Sequence, residues 1–109
     1  MTGFAVVNEG ALEHVSTQPG LIWLDFWQAS CAPCRALEPR LERFAARHPG
    51  EFQGYRVDVD AQPDAPARYD VMSVPTIVVL RDGREIARLD GLIRETDLED
   101  VLRAASAGA

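Results

Sequence analysis

Lysine is missing from this 109-residue chain, whose 11 basic side chains are all Arg. Schiff-base lysine chemistry is therefore excluded. Basic charge is short as well: 17 Asp and Glu leave a net charge of −6. Nucleic acid and anionic membranes both demand a basic face, so neither is expected as a partner. No apolar run approaches the ~20 residues of a membrane span. Met1 to Val7 has neither the basic start nor the long apolar stretch of a secretory signal. Histidine occurs only as His14 and His48, neither at a metal-ligand spacing from a cysteine, so no metal and no cofactor are expected. Cysteine is scarce too, with Cys31 and Cys34 alone. Two are too few for a disulfide framework. The small ring they would close constrains the unfolded chain by only about 2 kcal/mol.

What is present is ordinary for a globular protein: 47% hydrophobic and 26% charged residues. We expect a single domain over 1–109 in the cytosol, where a close cysteine pair means redox work or metal. A monomer is expected.

Ala5–Val7 reads as a weak strand, and Asn8 as the N-cap of a helix through about Ser16. Leu21-Ile22-Trp23-Leu24-Asp25-Phe26-Trp27 is apolar at all positions but one, as in a strand covered on both faces. Leu37, Leu41, Phe44, Ala45 and His48 mark an amphipathic helix ending at Pro49-Gly50, with a kink expected at Pro39. Phe52–Asp58 reads as a strand and Pro63–Tyr69 as a short helix. The β-branched run Thr76–Leu80, then Asp82-Gly83, then alternation over Arg84–Asp90 signals a hairpin. Gly91 ends that strand. Leu98, Val101, Leu102 and Ala105 predict a last helix with a capping box on Thr96 and Glu99, then a fraying tail over Ala104–Ala109. The order βαβαβαββα implies an α/β fold with a parallel core and an antiparallel hairpin.

Cys31-Ala32-Pro33-Cys34 lies between the buried strand and the long helix. Cys31 falls at the helix N-terminus, where unpaired N–H groups and the dipole stabilise a thiolate. Pro33 suits the first turn. Cys34 lies one turn deeper, so Cys31 should attack and Cys34 should resolve the mixed disulfide. The alternatives are a metal half-site completed by a second subunit and two inert thiols. Asp25 sits inside an apolar strand, and desolvation should raise its pKa and fit it to accept the resolving cysteine's proton. Otherwise it marks a strand edge or forms a structural ion pair with Arg56. Trp23 is expected in the core, and Trp27, at the strand's end, beside the dithiol. Val74-Pro75-Thr76 reads as simple strand entry. His14 should be exposed and His48 a helix-dipole partner. Glu95, Asp97, Glu99 and Asp100 read as a solvated face.

Asp25-Phe26-Trp27, Cys31-Ala32-Pro33-Cys34, Pro39, Asp58-Val59-Asp60, Val74-Pro75-Thr76, Asp82-Gly83 and Gly91 stand in the order and spacing of the thioredoxin family. The resemblance covers about Val6 to Ala104. It implies a thioredoxin fold, a central mixed sheet of five strands flanked by four helices. It also implies reversible dithiol–disulfide exchange with cytosolic disulfide-containing client proteins, and recharging by an NADPH-dependent thioredoxin reductase. Catalytic roles would fall to Cys31, Cys34 and Asp25. Pro75 would be cis, with Val74 offering its backbone to an extended client segment. Trp27, Ala32, Pro33 and Gly91 would border the same docking surface.

Three positions depart from the family pattern. Ala32 replaces the usual Gly, in the pair that tunes redox poise. Ser30 replaces a bulky Trp, removing apolar area from the rim. Arg56 stands where a Lys is common, and stays charged at any relevant pH. These departures motivate a narrower client or a different electron donor as an alternative. A non-catalytic binding module of the same fold is another.

Overall fold

A computed structural model describes residues 4–8 and 10–107 of the chain. The elements run β1 (Phe4–Val6), α1 (Leu12–Ser16), β2 (Leu21–Trp27), α2 (Ala32–Arg47), β3 (Gln53–Asp58), α3 (Ala65–Arg68), β4 (Thr76–Arg81), β5 (Arg84–Asp90) and α4 (Glu95–Ala107). Five strands form one sheet in the order β1-β3-β2-β4-β5. β3 pairs in parallel with β1 and β2, while β4 runs antiparallel to both β2 and β5. The expected order and mixed sheet are both present.

Strand parity explains how β2 buries nearly every side chain, since successive residues face opposite sides of the sheet. Ile22, Leu24 and Phe26 pack with Leu12 and Val15 of α1 and Ala65 of α3. Trp23 faces the other way, into a cluster with Leu37, Leu41 and Phe44 of α2 and Leu98 and Leu102 of α4. Its ring centroid lies 5.1 Å from those of both Phe44 and Phe52. Each such side chain contributes about 1.5–3 kcal/mol by leaving water. Asp25 shares the parity of Trp23 and so belongs to the α2 side.

The hairpin is closed by Asp82-Gly83, with φ of +51° and +84°. Positive φ at both positions matches the strand twist, which is why Asp-Gly is favoured here. Asp82 Oδ1 also accepts the Gly20 N–H at 2.7 Å, tying the turn to the entry of β2.

Several local expectations need correction. Asn8 does not cap α1: that helix starts at Leu12 behind Ala11, with no side-chain cap, and Asn8 gives only a carbonyl to the Ala11 N–H. α2 runs uninterrupted through Pro39, which lies inside the helix as expected and is exposed. The cap of α4 lies two residues before the expected box, where the Asp97 carboxylate accepts the Arg94 N–H at 2.8 Å. The acidic face is not merely solvated, because Glu95 and Glu99 pair with Arg43 and Arg47 of α2. His48, just past the end of α2, stands between Glu51 and Glu99 at 2.9 and 2.7 Å. The expected fraying tail is helical to Ala107, and Arg81 Nη2 donates to the Ala105 carbonyl at 2.8 Å. Gly108 and Ala109 lie outside the described residues.

Candidate active site

β2 ends at Trp27, and a short loop delivers Cys31 to the N-cap of α2 in an extended conformation, φ −91° and ψ 107°. There Cys31 Sγ accepts the Cys34 N–H at 3.1 Å, taking one of the amides that a helix start leaves unpaired. The first turn of α2 carries no acidic residue, so nothing on it opposes the positive end of the dipole. Arg35 sits in that turn and donates to the Ala29 carbonyl at 2.6 Å. Pro33 occupies the first turn, where its missing N–H costs nothing.

The two cysteines differ in access. Cys34 is 3% exposed, whereas Cys31 is only partly buried. Their sulfurs are joined in a disulfide with 5.2 Å between Cα atoms. Such an arrangement presents one sulfur to an incoming group and keeps its partner beneath.

Across from the disulfide the Val74–Pro75 peptide is cis, and the Val74 carbonyl oxygen lies 3.8 Å from Cys31 Sγ. Simple strand entry, the reading from residues alone, gives way here to a defined neighbour of the reactive sulfur. A groove of about 300 Å³ continues from this point, lined by Pro33, Val74, Pro75 and Gly91 together with Leu92 and Ile93. Gly91 supports the turn with φ +71°, a region costly for other residues. Leu92, 77% exposed, forms an apolar edge that no sequence motif announces. Ala32 is exposed beside Pro33 but does not line the groove.

On the sheet side, Asp25 is 3% exposed. Burial pushes its carboxyl up from 3.8 to about 7, against the lowering influence of Arg56 and with Glu38 adding to the rise. Arg56 Nε stands 3.6 Å from Asp25 Oδ2, outside hydrogen-bond range, so desolvation outweighs the attraction. The guanidinium lies over the Trp27 ring, 4.1 Å from its centroid. Trp27 is thus tied to the Asp25 side of the site and is absent from the groove lining. Glu38, one turn beyond Cys34, takes Arg56 Nη1 at 2.5 Å. Its spacing of four from Cys34 was the one available signal for it.

Among the described residues no cluster of three or more His, Cys, Asp or Glu could hold a metal ion. Nor is any helix there long and apolar enough to cross a membrane.

The thioredoxin family model matches residues 5–104. The chain belongs to the thioredoxin family. Thioredoxin from Staphylococcus aureus is 36% identical over 85 residues, covering 78% of this chain and 82% of the relative. A solved structure of a single-site mutant of thioredoxin from Halobacterium salinarum superposes with a TM-score of 0.82 at 28% identity, covering 93% of this chain and 88% of that one. With the Cys31–Cys34 pair in place, this thioredoxin-family chain is a thiol–disulfide oxidoreductase.

Proposed function

We propose that the chain reduces disulfides in cytosolic client proteins, acting as a monomer with residues 1–109 working as one unit. The Cys31 thiolate attacks one sulfur of a client disulfide, whose S–S bond breaks and releases the other sulfur as a thiolate. Asp25 then takes the Cys34 proton, and the Cys34 thiolate attacks Cys31. That step frees the reduced client and leaves the Cys31–Cys34 disulfide, so two electrons pass from the dithiol to the client. An NADPH-dependent reductase would return them. An extended client segment would lie along the groove against Val74, Pro75 and Gly91, with Trp27, Ala32 and Pro33 around it.

The observation that carries this reading is the position of Cys31, half open at a helix N-terminus and 3.8 Å from the Val74 carbonyl oxygen beside an apolar groove. The test is insulin reduction with dithiothreitol, then with thioredoxin reductase and NADPH. Both should proceed, and Cys31→Ser should stop both. A Cys31→Ser protein as active as the wild type would overturn the reading. Asp25→Asn should slow exchange at neutral pH, and an unchanged pH–rate profile would remove Asp25 from the proton step.

A second reading rests on Ser30 and Ala32, both exposed, which leave the rim with little apolar area. On that reading the client range is narrower or the electron donor differs. Activity with dithiothreitol but not with the reductase would favour it.

A further inference from the structure

Arg56 carries the donor fork best suited to a bidentate carboxylate, and Asp25 is its register partner on the neighbouring strand. Yet the pair is not closed. Arg56 Nε and Asp25 Oδ1 are both buried without a hydrogen-bond partner. Unmade bonds of this kind are costly, so another contact must hold the guanidinium where it is. Two contacts do so: Glu38 takes Nη1 at 2.5 Å, and the Trp27 ring supports the guanidinium plane at 4.1 Å.

We propose that Glu38 is a positioning residue for the Asp25 proton, anchoring the Arg56 guanidinium out of hydrogen-bond range of the Asp25 carboxylate. The inference rests on the reading of Asp25 as the proton acceptor. A charge-assisted bond from Arg56 would favour the ionised carboxylate and weaken its hold on a proton. Glu38 prevents that bond and adds a negative charge of its own, which also raises the Asp25 pKa. The elements packed against Asp25 bring no other charge to it. β3 supplies Arg56, α2 supplies Glu38, and β4 places Ile77 beside it.

The decisive measurement is the titration of the Asp25 carboxyl carbon by NMR in the oxidised protein. Glu38→Ala should lower the midpoint, weakening proton affinity roughly tenfold, and Glu38→Gln, which keeps an acceptor for Arg56, should lower it less. An unchanged midpoint in Glu38→Ala overturns the proposal. So does an equal drop when Glu38→Ala is made on an Arg56→Met background, since Glu38 would then act by bare charge. Arg56→Gln replaces Arg56→Met should the latter not fold. If the midpoint moves as expected but Asp25→Asn leaves the pH–rate profile unchanged, the positioning stands and the proton-acceptor reading falls.

Discussion

Asp25 and Arg56 face each other across the parallel β2–β3 ladder, in register, with 3.6 Å between the carboxylate and Nε. In a parallel pair, register partners point to the same side of the sheet, so the strands alone bring acid and base together. Burial then decides the outcome. With Asp25 3% exposed and no hydrogen bond closing the pair, the neutral acid is favoured up to about pH 7. A group at that value can take or give a proton near neutrality, as a dithiol that alternates between oxidised and reduced forms requires.

The same burial has a stability consequence. The native carboxyl holds its proton more tightly than the unfolded one, about 7 against 3.8. Its contribution is therefore fully present below pH 3.8 and is lost as pH rises to about 7. At about 1.4 kcal/mol per tenfold, the loss is on the order of 4 kcal/mol. Asp25→Asn escapes it. Relative to the wild type, the variant should gain stability between pH 4 and pH 8, read by urea unfolding at both. A difference that does not change with pH would contradict the assignment.

His48, at the other end of α2, should lose its contribution in the same direction, as pH rises. Hydrogen bonding to Glu51, opposed by partial burial and reinforced by Glu99, raises its pKa above the ordinary 6.5. The protonated ring bridges two carboxylates, so its contribution is complete below pH 6.5 and fades as pH rises through the raised value. His48→Gln should cost more stability at pH 6 than at pH 9. Equal costs at the two pH values would mean that packing against Phe44, 5.2 Å away, is the whole of its role.

Patterns one element long were legible in the sequence. The continuous run of β2, the period of α2 and Asp82-Gly83 each follow from local chemistry, and each element formed within a few residues of its expected bounds. The cysteines were legible too, because a helix start makes Cys31 and Cys34 unequal. Relationships between elements were less so. The pairing of Glu95 and Glu99 with Arg43 and Arg47 depends on α2 lying beside α4, which no local pattern states. Glu38 escaped notice because an exposed-looking Glu on a helix is ordinary until Arg56 is found beneath it. Leu92 entered the groove only once the turn at Gly91 had aimed it there.

Phe44 is the clearest test of the core on the α2 side. It is fully buried, with ring centroids 5.1 Å from Trp23 and 5.2 Å from Phe52. Phe44→Ala removes those contacts and leaves a cavity between helix and sheet, a change that typically costs about 3–5 kcal/mol. Urea unfolding should show that loss as a lower midpoint with little change in slope. A loss below about 1 kcal/mol would mean that the site collapses freely, contrary to the close aromatic packing seen here.

Leu92 tests whether the groove selects clients. At 77% exposed it contributes little to folding, so Leu92→Ser should leave stability nearly unchanged. If a client segment covers it during exchange, the substitution removes about 1–2 kcal/mol of apolar contact, or roughly five- to thirtyfold in KM for a protein disulfide. The attacking sulfur is untouched, so the rate with a small disulfide too short to reach Leu92 should not move. A KM for insulin equal to the wild type's would place the client elsewhere. An equal loss with the small disulfide would mean that Leu92 acts on Cys31 itself, through the turn that holds Ile93 against Arg40 Nη1 at 3.1 Å.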